Sequence, residues 1–145
     1  MRTLFVSKPP LWFWTVAVLA LVWNVMGLVA VGMNFMITPE QLAAMPIDQQ
    51  QLYAETPAWA SYGSLLAVLA GCLGCVGMLI KQSWAVHAFT LSIVGLIIQN
   101  IGLFLIVDAA SVVGDSVILL QGGVALIAII LYFMAQHACK QQWLK

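Results

Sequence analysis

The sequence predicts an all-α membrane protein: a left-handed, up-down-up-down bundle of four transmembrane helices, with a short helical periplasmic segment between the first two. The composition is one reason, because the chain is 63% hydrophobic and 7% charged, with a mean hydropathy of +1.04. Soluble domains carry about 25% charged residues. The other reason is that the few charges leave four uncharged windows, each longer than the roughly 20 residues that an α-helix needs to cross a bilayer. These windows are residues 9–39, 56–80, 82–107 and 116–139.

The four windows predict four spans within a single transmembrane domain of residues 1–145. We place the helices near residues 12–33, 58–80, 83–106 and 116–136. Only Lys81 and Gln82 separate the second span from the third, so these two helices must be antiparallel neighbours. A longer loop joins the third span to the fourth, and Asp115 at its end is suited to cap the fourth helix.

The connection between the first two spans, residues 34–57, is the only substantial segment outside the membrane. Residues 38–41 read Thr-Pro-Glu-Gln, which supplies an N-cap, a proline at the first helical position and a glutamine at the third, as in a capping box. Residues 48–51 repeat the pattern with Asp and Gln, and Pro46 lies between the two. The segment therefore predicts two short helices.

The charge signs predict the orientation of the chain. The basic residues all fall on one side of the predicted membrane, and the acidic residues all fall on the other. The basic set is Arg2, Lys8, Lys81, Lys140 and Lys145, and the acidic set is Glu40, Asp48, Glu55, Asp108 and Asp115. Basic residues concentrate in cytoplasmic segments of membrane proteins, so we expect both termini in the cytoplasm. The zero net charge and the lack of a basic run exclude nucleic acid as an expected partner.

Small residues recur at alternating spacings of three and four along each predicted helix, a pattern that we call the small-residue seam. Its members are Ala17, Ala20, Gly27, Gly63, Ala67, Ala70, Gly74, Gly77, Ser92, Gly95, Gly102, Ala125 and Ala128. In lipid, helices associate through close backbone contact, so small residues are typical of the interface. A repeat of 3.5 residues predicts left-handed crossings. The alternative is a chance stripe, because glycine and alanine are common in membrane helices. The glycines outside the seam, Gly71, Gly122 and Gly123, predict a second surface for oligomerisation.

Several short motifs together resemble those of a family of small bacterial four-helix inner-membrane proteins, which are often labelled "sugar transporter". The motifs are Trp23-Asn24, Thr38-Pro39-Glu40, Leu52-Tyr53, Thr56-Pro57-Ala58-Trp59, Gly74-Cys75, Trp84-Ala85 and Leu91-Ser92. The resemblance covers roughly residues 11–132. It implies a multi-pass protein of the bacterial inner membrane with this topology, and it assigns no catalytic or substrate-binding residue.

Polar side chains at similar depth on all four helices are the best candidates for a functional site. This polar layer consists of Asn24, Ser64, Gln99, Asn100 and Gln121. At 1.5 Å per residue its members lie roughly 18 to 24 Å from the cytoplasmic edge. One interpretation is a solute site entered from the periplasm, and the other is a hydrogen-bonded layer that fixes the register of the helices. The second is favoured because no Asp, Glu, Lys or Arg lies inside the spans, where coupled carriers usually keep a charged residue.

The Cys72-x-x-Cys75 pair raises the possibility of membrane redox chemistry. Such enzymes need a second cysteine pair, and only Cys139 remains. A mid-helix position in lipid also disfavours the thiolate. We therefore expect these cysteines to be inert packing residues.

The histidines raise the possibility of bis-histidine haem ligation. His87 and His137 lie at comparable depth near the cytoplasmic edge of the third and fourth helices. Neither belongs to the small-residue seam, and a haem needs a widened core. We expect no haem, no other cofactor and no metal site.

The sequence thus predicts a non-catalytic protein of the bacterial inner membrane, surrounded by lipid and assembled with itself or into a larger membrane complex. The alternative is a small channel or facilitator for a small neutral solute. No phosphate-binding loop or metalloprotease motif points to an enzyme. Space around Asn24, Gln99 and Gln121 would favour the facilitator, whereas a dry layer would favour the accessory subunit.

Overall fold

Four long helices and three short ones make up the computed structural model, which describes residues 7–145. They are α1 (Leu11–Phe35), α2 (Pro39–Ala43), α3 (Ile47–Glu55), α4 (Ala58–Leu79), α5 (Ala85–Asn100, continued by a π-helical segment, Ile101–Ile106), α6 (Ala109–Val113) and α7 (Ser116–Lys140). No strand occurs in this part of the chain. Helices α1, α4, α5 with its π-helical segment, and α7 are long and apolar enough to cross a membrane. The predicted all-α fold is confirmed, and the four spans suggest a multi-pass membrane protein.

The two ends of the bundle differ in charge. Lys8, Lys81, Lys140 and Lys145 lie at the end that carries the turn between α4 and α5, which we call the basic end. The five carboxylates of the acidic set lie at the opposite end with α2, α3 and α6, which we call the acidic end. Arg2, the remaining basic residue, lies outside the described residues. The observed helices thus separate the described charges as the sequence predicts.

The long helices pack together unevenly around the bundle. Helix α4 packs most closely against α5 and also against α1, and α5 packs against α7. Helices α1 and α7 would complete a ring of helices, but no comparably close backbone packing joins them. The bundle therefore has one loosely closed side, between its first and last long helices.

Glycines bring α4 and α5 together. A Cβ atom added to Gly95 would lie 2.6 Å from the backbone nitrogen of Ala67, and one added to Gly63 would lie 3.0 Å from the carbonyl oxygen of Gly95. The Ser92 hydroxyl donates to the Ala67 carbonyl oxygen at 2.7 Å. Backbone therefore contacts backbone here, which is the packing that a small-residue interface permits in lipid.

Helix α1 contacts a second face of α4, and this corrects one prediction. Gly71 lies outside the seam and was assigned to an oligomerisation surface. In the structure it is buried, and a Cβ atom there would overlap Oδ1 of Asn24 on α1. The assignment is wrong for Gly71. For Gly122 and Gly123 it stays a prediction, since no described residue lies within 4 Å of a Cβ atom at either position.

The main core lies in the half of the bundle next to the basic end. Phe13 of α1, Met78 and Cys75 of α4, and Phe89 of α5 are its largest fully buried side chains. Leu131 of α7 belongs to the same cluster. All four long helices therefore meet in this half, and their side chains fill the space between them.

The C-terminal residues close the basic end. Trp143 folds back onto the core, where its ring lies 5.6 Å from that of Phe13, and its indole nitrogen donates to the Ser7 hydroxyl at 2.9 Å. The amide of Lys145 donates to the Lys81 carbonyl, and the Ser83 amide donates to the Lys145 carbonyl, each at 2.8 Å. The chain end is thereby fastened to the turn between α4 and α5.

The short helices lie at the acidic end. The predicted capping box is present in α2, where Thr38 and Gln41 exchange hydrogen bonds. The second helix start is predicted two residues late, because α3 begins at Ile47 directly after Pro46 and has no side-chain cap. The Gln50 amide instead donates to the Met45 carbonyl at 2.7 Å, which ties α3 back to α2.

Two features near the end of the third span and in the loop that follows it were not predicted from the sequence. The loop contains α6, which packs against α3 and follows Asp108 in a left-handed conformation with φ 53°. The last turns of the third span are π-helical, a form that often occurs at functional sites. Asp115 occupies the predicted N-cap position of α7, but its side chain makes no capping hydrogen bond.

Candidate functional site

Two adjoining cavities occupy the half of the bundle next to the acidic end. The outer cavity, about 740 Å³, lies beneath α3 and the ends of the long helices. The inner cavity, about 440 Å³, lies deeper and is lined by α1, α4, α5 and α7. Five residues line both cavities, and we call this set the neck. The neck consists of Asn34, Ser64, Gln99, Leu120 and Gln121.

The structure brings together three of the five residues of the predicted polar layer. Ser64, Gln99 and Gln121 belong to the neck. Asn24 also lines the inner cavity but lies deeper, against Gly71 and Cys75 of α4. Asn100 lines neither cavity. The layer therefore surrounds open space instead of filling the bundle.

Few hydrogen bonds hold the polar layer together. The amide nitrogen of Asn24 donates to the Ala20 carbonyl of its own helix at 2.9 Å and lies 3.7 Å from the Cys75 sulfur. The Ser64 hydroxyl donates within its own helix, to Ala60 at 3.4 Å. Among residues 7–145, no hydrogen bond joins two members of the layer.

Two amide oxygens of the layer are buried without a partner among the described residues, Oδ1 of Asn100 and Oε1 of Gln121. Leaving such a group unsatisfied costs about 1–3 kcal/mol. The cost is avoided if a ligand or water supplies the missing donor. The Gln121 side chain lines both cavities, but Oε1 itself has almost no accessible surface, so the side chain must rotate before this oxygen can accept from a ligand.

The walls of the two cavities differ in polarity. Asp48, Gln49 and Tyr53 of α3 line the outer cavity, together with hydroxyl groups of α4 and α7. Below the neck, the polar side chains of the inner cavity are Asn24 and Ser92, and the remaining lining is apolar. No charged residue lines the inner cavity, and Asp48 is the single charged residue of the outer one, in the part of the chain that the structure describes.

The inner cavity ends on the core at the basic end. Phe89 and Leu131 line it and also belong to the main core, with Phe13 and Met78. The cleft formed by the two cavities therefore enters the bundle from the acidic side and stops near its middle.

The residues of the predicted seam lie mostly inside the bundle. Those classed as buried are Ala17, Ala20, Gly63, Ala67, Ala70, Gly74, Gly77, Ser92, Gly95, Gly102 and Ala128. Gly27 and Ala125 are partly exposed. Gly27, Ala67 and Ala128 line the inner cavity, so the small residues open space for the cleft as well as bringing backbones together.

The cysteines and histidines do not converge on a site. Cys75 is fully buried, Cys72 and Cys139 are partly buried, and all three are free thiols. His87 and His137 are exposed on the bundle surface, and the ring of His137 packs edge-on against Trp143 at 5.6 Å. No group of three or more His, Cys, Asp or Glu side chains with the geometry of a metal site occurs within residues 7–145.

Sequence reasoning missed Asn34 in the neck, although a signal was available. Asn34 lies just beyond the predicted end of the first span. It continues the three-four-three spacing of Asn24, Gly27 and Val31, all of which line the inner cavity. Extending the first helix by one turn would have placed it on the same face as Asn24.

Comparisons of the chain with known protein families, with curated proteins and with solved structures find no match. The resemblance to small bacterial four-helix proteins therefore stays a prediction. The cleft and the residues around it are the features of the molecule that bear on its function.

Proposed function

We propose that this chain is a non-catalytic, multi-pass protein of a bacterial inner membrane, and that its cleft receives a small neutral solute from the periplasm. The positive-inside asymmetry supports this orientation, with the basic end in the cytoplasm and the acidic end outside. In that orientation the cavities face the periplasm. The amide-lined space favours the facilitator over a purely structural polar layer.

The observation that carries the proposal is that the polar side chains of the neck line open space, and among residues 7–145 no hydrogen bond joins Ser64, Gln99 and Gln121 to one another. A structural layer would pair its amides across helices, whereas a binding site leaves them available to a ligand. Gln99 and Ser64 lie beside the same space, so donors and acceptors from three helices face one ligand. Pockets of this kind combine an apolar wall with a few polar groups that fix the ligand's orientation.

The solute is neutral because the lining offers no charge to compensate one. No charged residue lines the inner cavity, and an unpaired charge inside a membrane is expensive. Passage to the cytoplasm requires the core around Phe89 to open, since the cleft ends there. Binding and release on the periplasmic side need no such rearrangement.

Flux measurements in liposomes test the proposal. The double variant Gln99→Leu, Gln121→Leu should lose most of the uptake of small neutral solutes such as glycerol. Gln141→Leu is the matched control, because it removes an exposed amide beyond α7. Equal flux in the parent, the double variant and protein-free liposomes would contradict the proposal.

Cysteine labelling in intact cells tests the orientation. Single cysteines at the exposed positions Gln51 and Gln82, introduced after removal of the native cysteines, should react from outside and from inside respectively. Labelling of position 82 by an impermeant reagent from outside would reverse the orientation.

Self-association, alone or within a larger membrane complex, is the second candidate function. Gly122 and Gly123 lie exposed on α7 with open space around them, and glycines at a helix surface allow a second helix to approach closely. Purification from native membranes with mass determination reports stoichiometry and partners together. A monomer that co-purifies with nothing would rule this candidate out.

A further inference from the structure

The inner cavity borders the loosely packed side of the bundle, between α1 and α7. Helices α1 and α7 both line the cavity, but no close backbone packing joins them. Trp23 and Met26 of α1 and Leu120 of α7 line the cavity and are also 44%, 64% and 61% exposed. These three side chains therefore form a rim that is apolar and, in a membrane, faces the lipid tails.

The space behind this rim suits an aliphatic chain. Val68, Leu96 and Ile127 belong to its walls. The polar groups there are largely satisfied, because Ser92 donates to the Ala67 carbonyl and Asn24 donates to its own helix. An apolar ligand would consequently leave few polar groups unpaired, whereas a strongly polar ligand would lose its hydration without replacement.

The neck above this space suits an uncharged polar head. The side chains of Ser64, Gln99 and Gln121 line it, and among residues 7–145 no hydrogen bond joins these three to one another. Asp48, the charged residue of the outer cavity, would repel an anion there. The cleft is thus polar at the neck and apolar below it, which is the division found in an amphiphile.

We propose that the ligand of this cleft is a neutral, single-chain amphiphile that enters sideways from the bilayer between α1 and α7. Its hydroxyl- or amide-bearing head binds at the neck, and its chain occupies the inner cavity. The inference rests on the proposed function in that the cleft is a ligand site, and it adds a second route into that cleft, from the lipid.

The depth of the cavity sets the length of the chain. The floor residues Phe89 and Leu131 each lie ten residues along the helix from the neck residues Gln99 and Gln121. At 1.5 Å per residue the floor is about 15 Å below the neck. A zigzag of bonds of about 1.5 Å advances roughly 1.25 Å per bond, so about 12 carbons reach the floor. The volume of about 440 Å³ is also within the range of sites for small molecules.

Binding of monolauroylglycerol to the delipidated full chain, followed by native mass spectrometry and thermal shift, tests the inference. Monolauroylglycerol should bind and stabilise the protein, while laurate, with the same chain and a charged head, should bind about tenfold more weakly. Val124→Phe, which fills the inner cavity, should abolish binding. Val94→Phe is the matched control, because Val94 is exposed on α5 and does not line either cavity.

A second variant covers the case in which Val124→Phe fails to fold. Leu120 is largely exposed, so Leu120→Trp should leave the fold intact while obstructing the rim between α1 and α7 and slowing the binding of monolauroylglycerol. Equal binding of monolauroylglycerol and laurate, or binding unaffected by both variants, would overturn the inference. Glycerol flux that depends on Gln99 and Gln121, with no monolauroylglycerol binding, would overturn this inference and leave the proposed function standing. Monolauroylglycerol binding without any glycerol flux would overturn the proposed uptake of a neutral solute and leave this inference standing.

Discussion

The two halves of the bundle are built from the same four helices and similar apolar residues, yet they pack in opposite ways. In the half next to the basic end, Phe13, Met78 and Phe89 are fully buried, and Trp143 closes the end. In the half next to the acidic end, the amides of the neck surround open space. The difference teaches that hydropathy identifies the spans but does not report how tightly they pack.

The largest expected effect concerns the contact between α4 and α5, which runs through both halves. Gly95→Leu should prevent folding, because even a Cβ atom would lie 2.6 Å from the backbone of Ala67, and rigid backbone cannot yield as a side chain can. We expect a loss exceeding about 3 kcal/mol, the upper end for overpacking. Unfolding in detergent measures it. Gly122→Leu, in open space, is the control, and similar losses for both would contradict the assigned interface.

The next effect tests whether the packed core next to the basic end provides most of the stability of the bundle. Phe89→Ala removes a fully buried ring that contacts Gly74 and closes the inner cavity. We expect a loss of about 3 kcal/mol. Phe133→Ala, at a site that is 60% exposed, should cost far less, because lipid replaces the lost contacts. The same unfolding measurement compares them, and equal costs would mean that the packed core does not hold the bundle.

A smaller effect is expected at the buried hydrogen bond between the halves. Ser92→Ala removes the donor to the Ala67 carbonyl, and interhelical bonds in membranes contribute about 0.6–1.7 kcal/mol. Thr90→Val serves as the control, since Thr90 is exposed and bonds only to its own helix. If the two substitutions cost the same, the Ser92 bond adds nothing to the contact between α4 and α5.

The topology could be predicted from the sequence because a helix must be long enough to cross the bilayer, and charges interrupt such runs. The capping box of α2 was predictable for a similarly local reason, since Thr38 and Gln41 bond each other. Helix α6 and the π-helical segment were missed. The run through residues 101–106 is uniformly apolar, so its composition carries no trace of the changed hydrogen-bond pattern.

The sequence predicts the residues of the candidate site, but it does not predict whether they pack against one another or surround open space. Depth along the helices placed Asn24, Gln99 and Gln121 in one layer, but whether a layer is closed depends on packing between α1 and α7, which are far apart in sequence. Gly71 was wrongly assigned to an oligomerisation surface because the small-residue seam describes only one face of a helix, and Gly71 lies on another. Helix α4 has neighbours on two faces, so Gly74 packs against Phe89 of α5 while Gly71 packs against Asn24 of α1.

The smallest expected effect on stability is also the one that separates the two interpretations of the polar layer. The triple variant Asn24→Leu, Gln99→Leu, Gln121→Leu removes the amides around the cleft. If these amides held the helices in register, each lost interhelical bond would cost about 0.6–1.7 kcal/mol. Within residues 7–145 these amides make one such bond, the long one from Asn24 to the Cys75 sulfur at 3.7 Å, and Oε1 of Gln121 is unpartnered. We therefore expect the triple variant to be as stable as the parent, or more stable by about 1 kcal/mol, because replacing an unsatisfied polar group removes its desolvation cost.

Unfolding of the triple variant in the same detergent measures its stability. Glycerol flux in liposomes measures its function, and we expect this flux to be lost. A triple variant that is strongly destabilised would return the layer to a structural role, whereas a stable variant without flux would identify the amides as the ligand site.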